Sequence, residues 1–308
     1  MNKLSTLLVL FGLQLQVFGQ TNPDSTLSTR SDSSQITSAD SSAPAATLTK
    51  DKPPFKYSDE VYKLRPGSDI PIAAIGTGWS LYAFTQIYSK DKSSEESILA
   101  LDKNNIPGFD RHGADVYHPK ADELGDMLFY GSMPLPVILM LDKEIRKDGL
   151  KTAFLYLEAM SVTGLLYTSA VYFNDRHRPY TYNPKVPMDK RMRGGGKNSF
   201  FAGHVALVGT STFFIAKMLN DYHPDSKVKW LPFTLAGIAT GTTGLMRYRG
   251  GQHFLSDILI GMTVGTLSGI LVPHVHKNKN IVDRRVVFTA SYLFDTPQFG
   301  FTYKLSKK

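Results

Sequence analysis

Three short clusters in the second half of the chain combine side chains that could bind an anion and transfer protons. In the first cluster, Arg176 and Arg178 are two residues apart, and Pro179 favours an extended backbone at Arg178. Two guanidinium groups on an extended segment can converge on one anion, and arginine suits the geometry of a phosphate. Taken alone, the cluster is more typical of a basic loop that contacts lipid head groups.

The second cluster opens an apolar segment at residues 198–216, where Gly203 and His204 follow one another. The first turn of a helix has free backbone N–H groups and the positive end of the helix dipole, so it attracts anions. Gly203 has no side chain, which would let a ligand approach the backbone closely. His204 would then lie beside a bound phosphate, although a histidine hydrogen-bonded at a helix end fits the same pattern.

The third cluster consists of Arg247, His253 and Asp257. His253 and Asp257 are four residues apart at the start of an apolar segment, and this spacing places both on one face of a helix. A carboxylate can accept a hydrogen bond from one imidazole nitrogen and leave the other nitrogen free to attack an electrophile. A structural His–Asp pair is the alternative for these two residues.

All three clusters lie at the ends of apolar segments, and alternating helices bring such ends to one side of a bundle. Together they would supply positive charge, two histidines and one carboxylate at a single site. This set of groups indicates phosphate binding combined with nucleophilic and acid–base chemistry by histidine.

Six apolar segments with few charges must position these groups. Their lengths of 15 to 22 residues fall between those of buried core helices and membrane spans. Glycine recurs in them, which suits close packing of helices in a membrane. We therefore predict an all-α bundle of five to six apolar helices embedded in a membrane, with a soluble helical domain as the alternative. The segments are 70–88, 127–141, 152–173, 198–216, 230–246 and 258–273.

The composition excludes several classes of protein. Of the 308 residues 42% are hydrophobic and 20% are charged, so the chain is not wholly disordered. It has no cysteine, and therefore no disulfide, no thiolate metal ligand and no cysteine nucleophile. The net charge of +8 favours an anionic partner. Nucleic acid is not the expected partner, because the basic residues are not interleaved with aromatic residues and match no reader motif.

The two ends of the chain differ from its middle. Residues 1–20 have one lysine, an apolar run and a small residue, which is typical of a secretory signal peptide, although a retained anchor has a similar pattern. Residues 21–54 are rich in serine and threonine and predict a disordered tether. A helical domain should follow at 55–282, and alternating apolar residues in the tail at 283–308 predict a small β-hairpin.

Loop charges bear on which side of the membrane the site faces. Loops rich in Lys and Arg favour the cytoplasmic side of a membrane. The loop at 142–151 has four such residues and the loop at 174–198 has seven, so the rule would place both in the cytoplasm. The two loops lie on opposite sides, however, if 152–173 spans the membrane. A functional need for positive charge at 174–198 resolves this conflict and leaves 142–151 in the cytoplasm. Cleavage of a signal peptide would leave the new N-terminus outside the cytoplasm. The site then faces the periplasm if 70–88 lies at the membrane surface or re-enters, and the cytoplasm if 70–88 is a full span.

The order and spacing of the clusters resemble the type 2 phosphatidic acid phosphatase superfamily over residues 150–275. The first motif of that family is a lysine, six residues and Arg-Pro, and the second is Pro-Ser-Gly-His. The third is Ser-Arg, five residues, His, three residues and Asp. The matching residues are Arg178 and Pro179 in the first motif, Gly203 and His204 in the second, and Arg247, His253 and Asp257 in the third.

The resemblance implies a role for each matched residue. His253 would be the nucleophile that forms a phosphohistidine, and Asp257 would hold it in place. His204 would protonate the leaving oxygen. Arg178, Arg247 and the backbone of Gly203 would bind the phosphate, and neither a cofactor nor a metal ion is implied.

Three positions depart from the family pattern, because Val171 replaces the lysine and Ala202 and Met246 replace the two serines. We assign Arg176 to phosphate binding in place of the missing lysine, with Lys197 and Arg249 as alternatives.

The expected function is hydrolysis of a lipid phosphate or diphosphate monoester at a membrane surface of the bacterial cell envelope, with the site facing the periplasm. Two alternatives remain open. One is a soluble periplasmic acid phosphatase that acts on small phosphomonoesters. The other is a catalytically weakened envelope protein that binds a phosphate-bearing lipid.

Overall fold

The computed structural model describes residues 60–278 and the backbone at 286–293 and 296–303. The predicted signal peptide and tether lie outside the described residues, so both stay predictions. The described chain is mostly helical, as the apolar segments predict. Its α-helices in chain order are α1 Pro66–Tyr88, α2 Glu95–Leu99, α3 Gly108–Arg111, α4 Pro119–Ser132, α5 Lys143–Lys147, α6 Gly149–Phe173, α7 Met188–Arg191, α8 Gly203–Tyr222, α9 Trp230–Arg249 and α10 Leu255–His276.

The predicted apolar segment at 127–141 is not one helix. Helix α4 ends at Ser132, and a 3₁₀-helix follows at Leu135–Leu141. Pro134 and Pro136 explain the break, because proline has no backbone N–H and cannot continue the α-helical hydrogen bonds. The apolar run is therefore divided between two elements.

Helices α8 and α10 run parallel in close contact, so both begin at the same end of the bundle. Gly261, Gly265 and Gly269 form a stripe along α10 with one glycine every four residues. A Cβ atom at any of these positions would lie within 2.7 Å of a backbone oxygen of α8 or its N-cap. The stripe lets the two backbones approach, as in helix pairs of membrane proteins. The oxygens concerned belong to Ala202, Ala206 and Thr210.

Helix α1 runs parallel to α6 along most of its length. A Cβ on Gly76 would contact the backbone of Ser161, and one on Gly164 would contact the side chain of Ser80. Just beyond the end of α1, Lys90 donates to the carbonyl oxygen of Val171 at 2.8 Å. This packing argues against the surface or re-entrant position expected for 70–88. That position stays a prediction, because α1 is not among the parts of the described chain that are long and apolar enough to cross a membrane.

Three parts of the described chain are long and apolar enough to cross a membrane: Pro119–Leu141, Gly149–Phe173 and Leu255–His276. Large apolar side chains are also exposed on the outer faces of the helices, among them Ile75, Leu157, Ile238 and Leu267. Apolar patches of this extent mark surfaces that contact lipid or a partner. Together these features indicate a membrane protein.

Two strands follow the helical domain, β1 Val286–Leu293 and β2 Thr296–Tyr303. They pair antiparallel, with Val286 opposite Tyr303. Residues 294–295, which would form the turn, lie outside the described residues. The predicted hairpin therefore stays a prediction.

Candidate active site

Four helix ends meet at one side of the bundle. Helices α8 and α10 begin there, and α6 and α9 end there, because α6 and α9 run opposite to α8. The loops that follow α6 and α9 bring Arg176, Arg178 and His253 to these helix starts. The three sequence clusters therefore come together, as their positions at the ends of apolar segments predict.

His253 is buried, and its ring is held by the backbone that precedes α8. Its Nδ1 lies 2.7 Å from the carbonyl oxygen of Ser199. A carbonyl can only accept a hydrogen bond, so Nδ1 has the proton and donates it. Nε2 then has a lone pair, which is the state that a histidine nucleophile requires.

Asp257 does not hold the imidazole directly, in contrast to the role assigned by the resemblance. Among the described hydrogen bonds, its carboxylate accepts from the hydroxyl of Ser199 at 2.7 Å, from the backbone N–H of Phe254 at 3.0 Å and from the guanidinium of Arg176 at 2.5 Å. The bond from Phe254 caps α10, since Asp257 is the third residue of that helix. Asp257 therefore reaches His253 through Ser199, whose hydroxyl it binds and whose carbonyl binds the ring.

Arg176, assigned to phosphate binding, pairs with two aspartates behind the histidine. Its guanidinium donates to Asp257 at 2.5 Å and to Asp110 at 2.6 Å, and it lies 4.7 Å from the ring centre of Phe254. Asp110 also accepts from the hydroxyl of Ser256. Burial raises the pKa of Asp110, but the hydrogen bonds from Ser256 and the charge of Arg176 outweigh it, so its pKa lies below the ordinary value. These ion pairs fit a structural role for Arg176 better than phosphate binding.

Arg247 is almost fully buried and faces two carboxylates from α4. Its Nη1 donates to Asp122 and to Asp126, both at 2.7 Å. Gly125 lies between them on the same helix, and a Cβ there would come within 2.8 Å of the Arg247 side chain. The carboxylates therefore bind the arginine at the position that a phosphate would compete for.

His204 lies in the first turn of α8 and contacts the same acidic group. Its Nε2 is 3.2 Å from Oδ1 of Asp126, and its ring packs against Phe129 with 4.4 Å between ring centres. Asp126 thus bridges His204 and Arg247. Burial and the charge of Arg247 lower the pKa of His204 to about 4, although Asp126 favours the protonated form. His204 is therefore neutral in the free site, and the negative charge of a bound phosphate would favour the protonated imidazole that can donate a proton to a leaving group.

Arg178 joins the group through Gln252. Its Nη1 donates to the Gln252 side-chain oxygen, and the Gln252 amide donates to Asp122 at 2.7 Å. A continuous chain of contacts therefore runs from Arg178 through Asp122 and Arg247 to His204. Gln252 precedes His253 in sequence, and both arginines are near enough to act on the charge of the His253 ring.

These arginines act on the titration of His253. Burial lowers the pKa of His253 well below its ordinary value of 6.5, and the positive charges of Arg178 and Arg247 lower it further. The imidazole is therefore neutral at physiological pH, in agreement with the lone pair on Nε2.

Gly203 has a packing reason that the sequence did not reveal. A Cβ at this position would lie 2.4 Å from the ring of Tyr167 on α6. The glycine therefore lets the start of α8 rest on an aromatic ring. No side chain among the described residues caps this helix, so its first N–H groups are available to an anion.

The family's lysine position is part of the apolar core. Val171 is fully buried with Ile87, Ala170 and Phe201. Ala202 is also fully buried, and its backbone N–H donates to the carbonyl of Asp257 at 3.1 Å.

The sequence alone did not reveal the acidic and polar partners of this site: Asp110, Asp122, Asp126, Ser199 and Gln252. One signal was present, because Asp122 and Asp126 are four residues apart and share a helical face. Nothing in the sequence shows that this face is directed at Arg247, which lies 125 residues away from Asp122.

Comparisons with known proteins agree with the motifs. A family model described as PAP2 superfamily matches residues 152–281, a range that contains all seven predicted site residues. This match confirms the resemblance to the type 2 phosphatidic acid phosphatase superfamily. The comparison with curated proteins found no match.

Two solved structures are similar to the chain. One is a transmembrane PAP2 type phosphatidylglycerolphosphate phosphatase from Bacillus subtilis, with 20% identity over 70% of this chain and 98% of that chain and a TM-score of 0.42. The other is LpxE of Aquifex aeolicus, with 23% identity over 53% of this chain and 90% of that chain and a TM-score of 0.36.

Proposed function

We propose that this chain, whose residues 152–281 match the PAP2 superfamily model, is a membrane phosphatase that hydrolyses a lipid phosphate or diphosphate monoester. The observation that supports this most is the single chain of contacts that joins Arg178, Arg247 and His204 beside the neutral, oriented His253. It combines anion binding, a nucleophile and a proton donor at one end of the bundle.

The proposed reaction has two steps, neither of which uses a metal ion. Nε2 of His253 attacks phosphorus and forms a P–N bond while the P–O bond to the lipid breaks, and the leaving oxygen takes a proton from His204. Water then attacks the phosphohistidine, and its proton returns to His204 as the P–N bond breaks. Inorganic phosphate leaves, and both histidines are restored.

Charge stabilisation falls to Arg178, Arg247 and the first N–H groups of α8. Loss of one such donor typically reduces kcat about 10²–10³-fold. Asp122 and Asp126 must yield Arg247 to the substrate, so phosphate binding replaces one set of anionic oxygens with another. Asp257, Ser199 and Arg176 orient His253 and do not touch the phosphate.

The apolar spans and the exposed apolar faces support a substrate that is presented in a membrane. We propose that the site opens toward the periplasm. This orientation places many basic residues outside the cytoplasm, but several of them pair with carboxylates at the site end and so have a structural reason to lie there. The pairs are Arg176 with Asp110, Lys90 with Asp175 and Lys103 with Asp115. The basic loop at 142–151, at the opposite end, is then the one that follows the positive-inside rule. If α1 crosses the membrane in parallel with α6, this orientation puts Pro66 in the cytoplasm and excludes the export of residues 21–54 behind a cleaved signal peptide. Helix α1 is not among the candidate spans of the described chain.

The test is phosphate release by the purified protein in detergent from phosphatidic acid, a polyprenyl diphosphate and a soluble aryl phosphate. We expect release from the lipids, and loss of at least about 10³-fold in His253→Ala. A ³²P-labelled substrate should leave acid-labile label on the wild-type protein and none on the variant. His223→Ala is the matched control, since His223 is a half-exposed histidine paired with Asp142 outside the site.

The outcomes separate the alternatives. Preference for the aryl phosphate would support a soluble-type acid phosphatase. Retention of full activity by His253→Ala would overturn the nucleophile assignment. Binding of the lipids without release would support the binding protein, for which the two carboxylates on Arg247 are the favouring observation.

A further inference from the structure

A second group of ionisable side chains lies at the other end of the bundle and takes no part in the proposed reaction. Asp69 from the first turn of α1, Glu158 from α6 and His276 from the last turn of α10 come together there. His276 lies nineteen residues after Asp257 on the same helix, about 28 Å away at 1.5 Å per residue. We infer that these three residues form a binding site for a divalent transition-metal ion, of which zinc is the best match.

The distances suit direct coordination. Nε2 of His276 lies 3.1 Å from Oδ2 of Asp69 and 3.5 Å from Oε2 of Glu158, and all three atoms are within 4.8 Å of one another. Ligand atoms about 2.0–2.1 Å from a tetrahedral metal are roughly 3.3–3.5 Å apart. The His276–Glu158 separation falls in this range, and the His276–Asp69 separation lies about 0.2 Å below it.

The tautomer of His276 also indicates a ligand. Nδ1 lies 2.7 Å from the carbonyl oxygen of Val272, so Nδ1 donates its proton to that carbonyl. Metal-binding histidines are held in this manner, with the other ring nitrogen directed at the metal. In a neutral His276 the Nε2 lone pair would face two carboxylates, and a cation between them removes the repulsion.

The burial of these three side chains also favours a bound cation. All three side chains are at least 95% buried, and Oε2 of Glu158 has no hydrogen-bond partner in the described part of the chain. A carboxylate in an apolar candidate span without such a partner is costly. A divalent ion between two carboxylates and a neutral imidazole would leave the group with no net charge. A single proton would leave one negative charge buried.

The chemistry of the three ligand groups limits which metal ions fit the site. One imidazole and two carboxylates suit zinc, manganese or iron better than calcium, which prefers six to eight oxygen ligands. Each ligand comes from a different long helix, so the ion would join α1, α6 and α10 and stabilise their packing.

The experiment measures metal content and thermal stability of the full chain in detergent, purified by an affinity tag that contains no histidine. We expect about one zinc per chain after desalting, and a rise in Tm of about 5 °C when zinc is added to EDTA-treated protein. Zinc K-edge absorption should show one imidazole and oxygen ligands near 2.0 Å. Manganese and magnesium are the comparison ions.

Two variants and a control make the test specific. His276→Gln and the isosteric Glu158→Gln should each lose at least five-fold of the bound zinc and the zinc-dependent rise in Tm. His223→Gln, which removes a surface histidine with a single carboxylate partner, should keep both. If a variant does not fold, the metal content and the absorption spectrum of the wild type still show whether the chain binds zinc through one imidazole and oxygen ligands. A wild type without metal and without a Tm response to zinc would overturn the inference, as would a His276→Gln variant that retains its zinc.

Discussion

The imidazole of His253 donates its Nδ1–H to the backbone carbonyl of Ser199, with 2.7 Å between the two atoms. The Ser199 hydroxyl in turn donates to Asp257 at 2.7 Å. The carboxylate therefore controls the histidine through an intermediate residue instead of a direct hydrogen bond. A backbone carbonyl cannot take up the proton, so the tautomer with Nε2 available stays fixed during the reaction.

Replacement of Ser199 by alanine tests this relay. Ser199→Ala keeps the carbonyl that binds His253 but removes the hydroxyl that binds Asp257, so the backbone at 199 should hold the ring less well. We expect kcat to fall about tenfold with little change in KM, because substrate contacts are kept. The matched control is Ser211→Ala, which removes a buried serine hydroxyl that donates to Ser132 outside the site. An equal loss of activity in the two variants would argue against the relay.

Replacement of Asp122 tests the competition for Arg247. Asp122→Asn keeps a side chain that can accept from Arg247 but removes one negative charge from the anion site. We expect vanadate, an analogue of phosphate, to inhibit about three- to tenfold more strongly, which is a gain of up to ~1.4 kcal/mol. Asp189→Asn is the control, because Asp189 is an exposed partner of Arg193. Weaker inhibition in Asp122→Asn would show instead that the carboxylate holds Arg247 in its binding position.

The lowered pKa of His253 predicts how stability and activity depend on pH. The unfolded chain takes up a proton at this residue below pH 6.5, whereas the folded protein excludes it until a lower pH. Stability therefore falls as the pH drops below 6.5, and His253 contributes nothing above that value. Measured at pH 7.5, 6.5 and 5.5, Tm should fall more for the wild type than for His253→Gln.

The same shift places the acidic limb of kcat/KM below pH 6.5, since the neutral nucleophile persists to that point. A half-maximal rate at pH 6.5 or above that is assigned to His253 would contradict the lowered pKa.

Replacement of Gly203 by alanine tests its packing on Tyr167. The added Cβ would lie 2.4 Å from the ring, so the start of α8 or the ring must shift. We expect a loss of about 1–3 kcal/mol in the free energy of unfolding, seen as a lower Tm. Gly241→Ala in α9 is the control, because nothing lies within 4 Å of a Cβ there and alanine favours the helix. Unchanged stability in Gly203→Ala would mean that the site end of α8 adapts freely.

Single cysteines test the orientation, and the chain has none of its own to interfere. Lys185 is exposed in the loop at the site end, and Lys143 is exposed at the opposite end. In intact cells with a permeable outer membrane, a maleimide that cannot cross the inner membrane should label Lys185→Cys and leave Lys143→Cys unlabelled. The reverse pattern would place the site in the cytoplasm.

Much of the fold and part of the site were predictable from local sequence. The apolar segments predicted the long helices, and the seven motif residues predicted a phosphate site at helix ends. Local rules suffice here because a helix and its ends depend on neighbouring residues. The break after α4 was also readable, since Pro134 and Pro136 remove backbone donors wherever they occur.

Other features depend on contacts between distant segments. The parallel packing of α1 on α6 was not predicted, because hydropathy does not show which helix a segment packs against. Asp122 reaches Arg247, and Asp69 and Glu158 reach His276, only after folding.

The sequence by itself determined which groups could do chemistry and which end of each helix they occupy. The tertiary structure decided which carboxylate each cation faces, and it connected Asp257 to His253 through two hydrogen bonds of Ser199. The physical reason is that hydrogen bonds and ion pairs act over about 3 Å in space. Residues more than a hundred positions apart meet at that distance only when the packing of helices brings them together.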